Sequence, residues 1–531
     1  MKSTTEALKT FAAPLLLFTF VGIAGAIVLQ RSLLLALAAI VLAGVVGLML
    51  RQPEWGTALI LFAIYSNVAV AVMRFVATGG APVYVGGLDN GGMANVDAGM
   101  RAALLASVGL ALVVPVYQYV WVRRQQLVFD RTLALIWFFL CSLMLSAVFC
   151  RDPMLSLWKI FRFVSEGLIL YFLVINVVRD GQTLRRAMWT LVIAASLMGG
   201  LSVFQEASGT QDNTYWGMAQ RGGVFVTNSS GDQVVTRTRA AGPIGEQNRY
   251  AQVLLVVVPF AAFFFRHGVT RMQRIFALLG GGLIFGGIVL TFSRGAFIAL
   301  VLLMFGMGTA RLVKWSHITV LILIASAYVV IQEPDYVARL SSLGHLDSLV
   351  KSEGRPTADE SSASRLAGNI ASWNVFLDHP LLGVGRGIYA DYYATHAVNQ
   401  LGYRQVRDYP SHNLYLNMAA ESGILGLGLF MAIIILIAMQ LRRLAKLRAP
   451  TDTEMSDLAT CFLLAIGAYL LSGMFIHLAY ERYFWLQLAL SSVAIRVIAE
   501  EMPFAEPRIL TLRRPRGIQP QPATSFRGGR Q

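Results

Sequence analysis

Runs of about twenty apolar residues recur along most of this chain, and each is long enough to cross a hydrocarbon core of ~30 Å. Backbone N–H and C=O groups inside lipid find no water, so every crossing must satisfy its own, which an α-helix does within one segment. About fourteen candidate spans meet the length criterion, at residues 11–29, 32–50, 57–77, 101–122, 132–150, 157–178, 187–206, 250–266, 275–292, 295–310, 315–332, 422–440, 458–478 and 483–498. Composition agrees. Of 531 residues, 56% are hydrophobic and 14% charged, where a soluble domain carries roughly 25% charged residues. The expected fold is all-α, a polytopic membrane protein of about 12–14 transmembrane helices. The first apolar run has no convincing cleavage box and another follows at once, so it is expected to stay as a helix rather than leave as a signal peptide.

The net charge is +15, and its placement decides what it means. With the amino terminus inside, the inner connections carry Arg51, then Arg123, Arg124 and Arg131, then Arg179, Arg185 and Arg186. The series continues with Arg266, Arg271 and Arg274, with Arg311 and Lys314, and with Arg442, Arg443, Lys446 and Arg448. Short connections rich in Lys and Arg stay cytoplasmic, so both termini are expected inside. The charge is then a topology signal plus a basic tail, 501–531, expected to be disordered near anionic lipid. Nucleic acid is not an expected partner.

Three long connections fall outside: 78–100, Gly-rich and without an internal Lys or Arg; 207–249, polar; and 333–421. The last, about ninety residues, is long enough for helices of its own and is expected to form a small cap. The chain therefore divides into transmembrane helices over 1–332 with the external loop 207–249, an external helical loop over 333–421, further spans over 422–500, and the tail. No internal repeat is apparent.

Polar residues that a membrane chain does not need for topology are the candidates for chemistry. In "YPSHNLYLNMAAESGILGLG", Pro410 and Ser411 signal a helix start at His412, Glu421 ends a short helix, and Gly423, Gly426 and Gly428 permit a bend into the next span. A histidine at a positive helix end stays neutral and can accept a proton, although a surface or capping histidine fits the same spacing. Ser293, Arg294 and Gly295 interrupt a long apolar stretch on the outer side, against the positive-inside bias. A charge there is either an anion site or a snorkelling arginine on a re-entrant hairpin. Arg237, Arg239 and Arg249 precede the span at 250, and Arg365 and Arg386 lie in the large loop; guanidinium groups suit phosphate or diphosphate. Glycines 383, 385 and 387 lack the Lys and strand context of a phosphate loop. Arg162 and Glu166 are expected to pair within their helix, and Glu481 and Arg482 to be structural. The seven histidines include no i, i+4 zinc pair and the three cysteines, Cys141, Cys150 and Cys461, no ligand spacing. No metal site is expected.

The segments "RAAGPIGEQNRYAQVLLVVVPF", "TFSRGAFIAL", "SRLAGNIASWNVFLDHPLLGVGRGIY" and "SHNLYLNMAAESGILGLG", in that order, resemble the O-antigen ligase and Wzy-type polymerase superfamily over roughly residues 130–500. The resemblance implies a GT-C-like glycosyltransferase of the bacterial inner membrane, working on the periplasmic side without cofactor or metal. Its donor would be a glycan on undecaprenyl diphosphate, and its acceptor a lipid A core or another glycan. Carried onto this chain, Arg239 and Arg294 would hold the diphosphate, with Arg237 competing for the loop role and Arg365 auxiliary. His412 would activate the acceptor hydroxyl, and Asn413, Tyr415 and Glu421 would shape the site. A ligase is favoured over a polymerase. A transporter, the alternative of a different class, predicts duplicated halves and charges near broken helices at the bilayer midplane.

Overall fold

The computed structural model describes residues 47, 49, 51–77, 108–227, 233–332, 360–393, 411–476 and 479–500. The expected span 11–29, nearly all of 32–50, the connection 78–100, the stretches 333–359 and 394–410 of the large loop, and the basic tail lie outside the described residues.

Each expected span from residue 57 onward coincides with a helix. In chain order these are α1 (Pro53–Ser66), α2 (Val68–Ala77), α3 (Val108–Val122), α4 (Arg131–Val148), α5 (Pro153–Val177), α6 (Gly181–Ala207), α7 (Gln247–His267) and α8 (Arg271–Val289). There follow α9 (Arg294–Thr309), α10 (Trp315–Gln332), α11 (Glu360–Asp378), α12 (Tyr389–Tyr393), α13 (Leu414–Arg448), α14 (Thr453–Ser472) and α15 (Arg482–Glu500). Among the described residues, eight are long and apolar enough to cross a membrane, or up to nine if α1 and α2 form one span bent by 74°; α3, α9 and α10 are apolar but shorter. The protein is an all-α polytopic membrane protein. The polar loop 207–249 departs from that pattern by folding into a two-stranded antiparallel hairpin, β1 (Gln220–Thr227) and β2 (Gln233–Gly242).

Local chemistry sets where the helices start. Asp130, Asp152, Asp180, Asp452 and Ser293 each accept a hydrogen bond from an N–H of the first turn, and Thr270 forms a capping box with Gln273. Such caps satisfy donors that a helix cannot pair internally and contribute about 1 kcal/mol each. Between helices, small residues permit close approach, as lipid-embedded packing requires. A methyl added at Gly287 of α8 would lie 2.7 Å from the Cα of Gly199 in α6, and one at Gly280 would lie 2.5 Å from Ser196 Oγ. The helices α7 and α15 run through the interior, whereas α8 and α13 turn much apolar surface outward, with Phe276, Leu278, Leu279 and Met439 exposed. That surface is suited to lipid.

The two ends of the bundle differ in chemistry. At one end Arg266 bonds the carbonyl of Arg311 and pairs with Asp457 at 3.0 Å, His267 Nε2 lies 2.7 Å from Asp457, Arg185 pairs with Glu454, and Arg496 donates to the carbonyl of Ile175. These are the connections read above as basic and internal. At the other end lie β2, the starts of α7, α9, α13 and α15, and the end of α14. The α1–α2 break belongs to this second end. Asn67, at φ 56°, donates to the carbonyl of Pro243 at 3.2 Å and accepts from Arg482, which also stands 3.9 Å from Glu166. Glu166 in turn accepts from Arg162 at 2.9 Å, the expected pair within a helix, and thereby joins three elements.

Candidate active site

The site is built around the start of α13. Asn413 is extended (φ −143°, ψ 120°), and its Oδ1 accepts from the N–H groups of Tyr415 at 2.9 Å and Leu416 at 3.1 Å. The helix therefore begins at Leu414, and His412, expected as its first residue, stands just outside because the amide side chain takes the first turn's donors. Leu414 N–H donates to the carbonyl of Gly473 at 2.8 Å, and Tyr415 Oη donates to that of Leu470 at 2.9 Å. Asn413 and Tyr415 thus fix the turn that carries the histidine onto the end of α14. His412 itself is half-buried, and its pKa is held down to about 4, first by burial and then by the charges of Arg365 and Arg249. The neutral ring is as expected, but loss of water and two guanidinium groups supply the cause that was assigned to the helix end alone.

One helical stretch further on, α13 breaks at Gly423 (φ 62°, ψ −168°), a backbone conformation open to glycine. The Gly-Val-Gly-Arg-Gly loop grips this break. Val384 N–H bonds the carbonyl of Ala420 at 2.9 Å, Gly385 N–H that of Glu421 at 3.0 Å, and Ile424 N–H that of Pro380 at 2.8 Å. Gly387 N–H donates to Glu421 Oε1 at 3.0 Å. Gly383, Gly385 and Gly387 all have positive φ; the amides of Gly385 and Gly387 serve this clasp, and that of Gly383 donates to the carbonyl of His379 at 3.1 Å. Arg386 lies over the ring of Tyr480, 3.1 Å from its centroid, and its Nε donates to the carbonyl of Lys159 at 3.1 Å. Glu421, buried, is a support for the short helix 414–422.

The arginines approach from three other elements. Arg239 sits on β2 opposite Gly222, and the next residue, Ala240, donates its N–H to the carbonyl of Leu290 at 3.1 Å, tying β2 to the turn before α9. Arg237 lies two positions back, opposite Val224. Ser293 caps α9, whose first residue is Arg294, and its Oγ donates to Asn248 Oδ1 at 2.6 Å. Asn248 donates to Glu246, the cap of α7, at 2.7 Å, and Arg249 follows it. Gly295 packs on Phe475, where a methyl would be 2.6 Å from the ring. The turn 473–475 therefore touches both the start of α9 beside Arg294 and the start of α13 beside His412. Arg365 lies on α11, and its charge helps to hold the His412 ring neutral.

Two features escaped sequence reasoning. Arg249 was one of several loop arginines, yet its charge helps to keep His412 neutral and it pairs with Glu481 at 3.6 Å. Arg386, also noted as a loop arginine, acts through Tyr480 and Lys159. Nothing in local spacing marks either, because their partners come from distant parts of the chain. Among the described residues, no three His, Cys, Asp or Glu side chains are grouped so as to hold a metal ion.

Fold and site together describe a polytopic membrane protein that carries arginines and one neutral histidine at the end of the bundle away from its basic connections. Residues 279–431 match the family model described as O-antigen ligase. The match spans Arg294, Arg365, the glycine loop, His412 and the Gly423 break. A search of curated proteins finds no match to the chain.

Proposed function

We propose that the protein transfers a glycan from a polyprenyl diphosphate carrier, undecaprenyl diphosphate in a bacterial inner membrane, to an acceptor hydroxyl, and that it acts as a ligase on a lipid A core or related acceptor. The observation that carries this reading is His412, held neutral by burial and by the charges of Arg365 and Arg249, beside a turn that also meets the start of the Arg294 helix. His412 takes the acceptor's proton on a ring nitrogen as the acceptor oxygen bonds the anomeric carbon, and the bond from that carbon to the diphosphate oxygen breaks. Attack opposite the leaving group inverts the anomeric centre. Arg239 and Arg294, with Arg365 beside them, meet the charge that grows on the departing diphosphate, a role that divalent metals fill elsewhere. Arg239 is favoured over Arg237 because its neighbour is bonded to the turn before Arg294. Proton transfer to a positioned base contributes about 10²–10⁴ in rate.

The positive-inside rule turns the basic end toward the cytoplasm, which supports a periplasmic site and a catalytic role for the loop 333–421. Glycan analysis of a strain lacking the protein tests the reading. Accumulated lipid-linked polymer, restored to transfer by the wild-type chain and not by His412→Ala at equal expression, is the expected result. Accumulation of single lipid-linked repeats would instead assign a polymerase, and unchanged surface glycan would overturn the function.

A further inference from the structure

The pair Arg249–Glu481 is both long and open to solvent on each side. Its N···O separation is 3.6 Å, beyond the ~2.7–2.9 Å of a charge-assisted hydrogen bond. The Arg162–Glu166 pair, by contrast, closes to 2.9 Å. Both side chains are partly open, 37% and 26% exposed, against 7% and 5% for Arg482 and Glu166. Their backbones, however, are fixed. The N–H of Arg249 is held by Glu246 at 2.7 Å, and its neighbour Asn248 is bonded to Ser293, the cap of the Arg294 helix. Glu481 precedes Arg482, which is anchored on Asn67 and on Tyr483 at 2.9 Å. Two well-anchored residues thus present a loosely matched pair beside His412, and a planar guanidinium with five donors is poorly used by one carboxylate oxygen at that distance.

We propose that Arg249 and Glu481 form an exchangeable pair, in which the carboxylate holds the guanidinium while the site is empty and a substrate diphosphate displaces it, recruiting Arg249 as a further phosphate-binding residue. The inference rests on the diphosphate reading above, and both residues lie outside the stretch 279–431 that matches the family model. Exchange keeps Arg249 oriented beside Asn248, which holds the cap of the Arg294 helix, and moves a negative charge away from the diphosphate as it arrives. Glu481 acts here as a positioning residue with a competing role: it orients the arginine and opposes the anion.

Binding of farnesyl diphosphate and of inorganic pyrophosphate to the full chain in detergent micelles tests this, by calorimetry on wild type, Arg249→Gln and Glu481→Gln. The expected result has opposite signs: Arg249→Gln weakens diphosphate binding about tenfold, the loss of one bidentate contact, and Glu481→Gln tightens it severalfold. Tighter binding cannot arise from a damaged fold, so the second variant keeps the test sharp. If the opposition appears with farnesyl diphosphate alone, the site reads a lipid carrier; if it appears equally with pyrophosphate, it reads the diphosphate group itself. Wild-type binding with both variants weakened, or with neither changed, overturns the exchange and leaves the function standing. Wild type that is folded and binds neither probe overturns both.

Discussion

Replacing Arg365 with glutamine tests the electrostatics of His412. The imidazole titrates at about 4 here against about 6.5 in an ordinary setting, a gap of about 2.5 units or roughly 3.4 kcal/mol at 1.36 kcal/mol per unit. Burial is the largest cause, Arg365 the next and Arg249 the third. Removing the second of three causes should raise the value by about 0.5–1 unit. His412 accepts a proton only when neutral, so activity is lost as pH falls through its pKa. The acid limb of kcat/KM, which reports the free enzyme, should therefore move from about pH 4 toward about pH 5. At pH 5 roughly nine-tenths of wild-type His412 is neutral, and roughly half to three-quarters in the variant. The stability linkage has the same origin: a depressed histidine costs the folded state stability as pH falls from about 6.5 to about 4, and the variant should lose less. The assay is transfer from a lipid-linked donor in micelles between pH 4 and 8. Arg365 also has a proposed part in donor binding, which would lower the plateau at all pH values, whereas the limb position reports His412. A lowered plateau with an unmoved limb, or a limb displaced to lower pH, would refute the reasoning.

Three further outcomes are expected. Arg294→Lys should cut kcat/KM by about 10² while leaving expression and melting unchanged, because an ammonium cannot form a bidentate clamp; near-normal kinetics would remove Arg294 from the site. Gly423→Ala should lower stability by about 1–3 kcal/mol in thermal unfolding, since the backbone there is open to glycine and the new methyl meets the Leu381 carbonyl; a melting point equal to wild type would argue against the break. Glu421→Ala should destabilise by about 1–3 kcal/mol, more than Glu421→Gln, by leaving the Gly387 amide without its buried acceptor; equal effects of the two would show that this bond contributes little.

The sequence alone determined the features that depend on short stretches of chain. Span positions follow from the length of apolar runs, helix starts from Asp, Ser, Thr and Asn caps, and the bend at Gly423 from the glycines after Glu421. The alternation of basic connections separated the two ends of the bundle before any coordinates, and the ordered motifs pointed to the family that residues 279–431 match. Tertiary structure decided what those residues do together. The start of α13 is held in place by the carbonyls of Gly473 and Leu470, and the glycine loop became a clasp because the broken helix offered it carbonyls. Arg249 gained its partner in Glu481, and Arg386 in Tyr480 and the carbonyl of Lys159, all from distant parts of the chain. Apolar length and capping act over a few residues, whereas the meeting of charges is set by how helices cross. That is why the chain's own pattern located the candidate residues, and only the packed bundle determined which of them stand together.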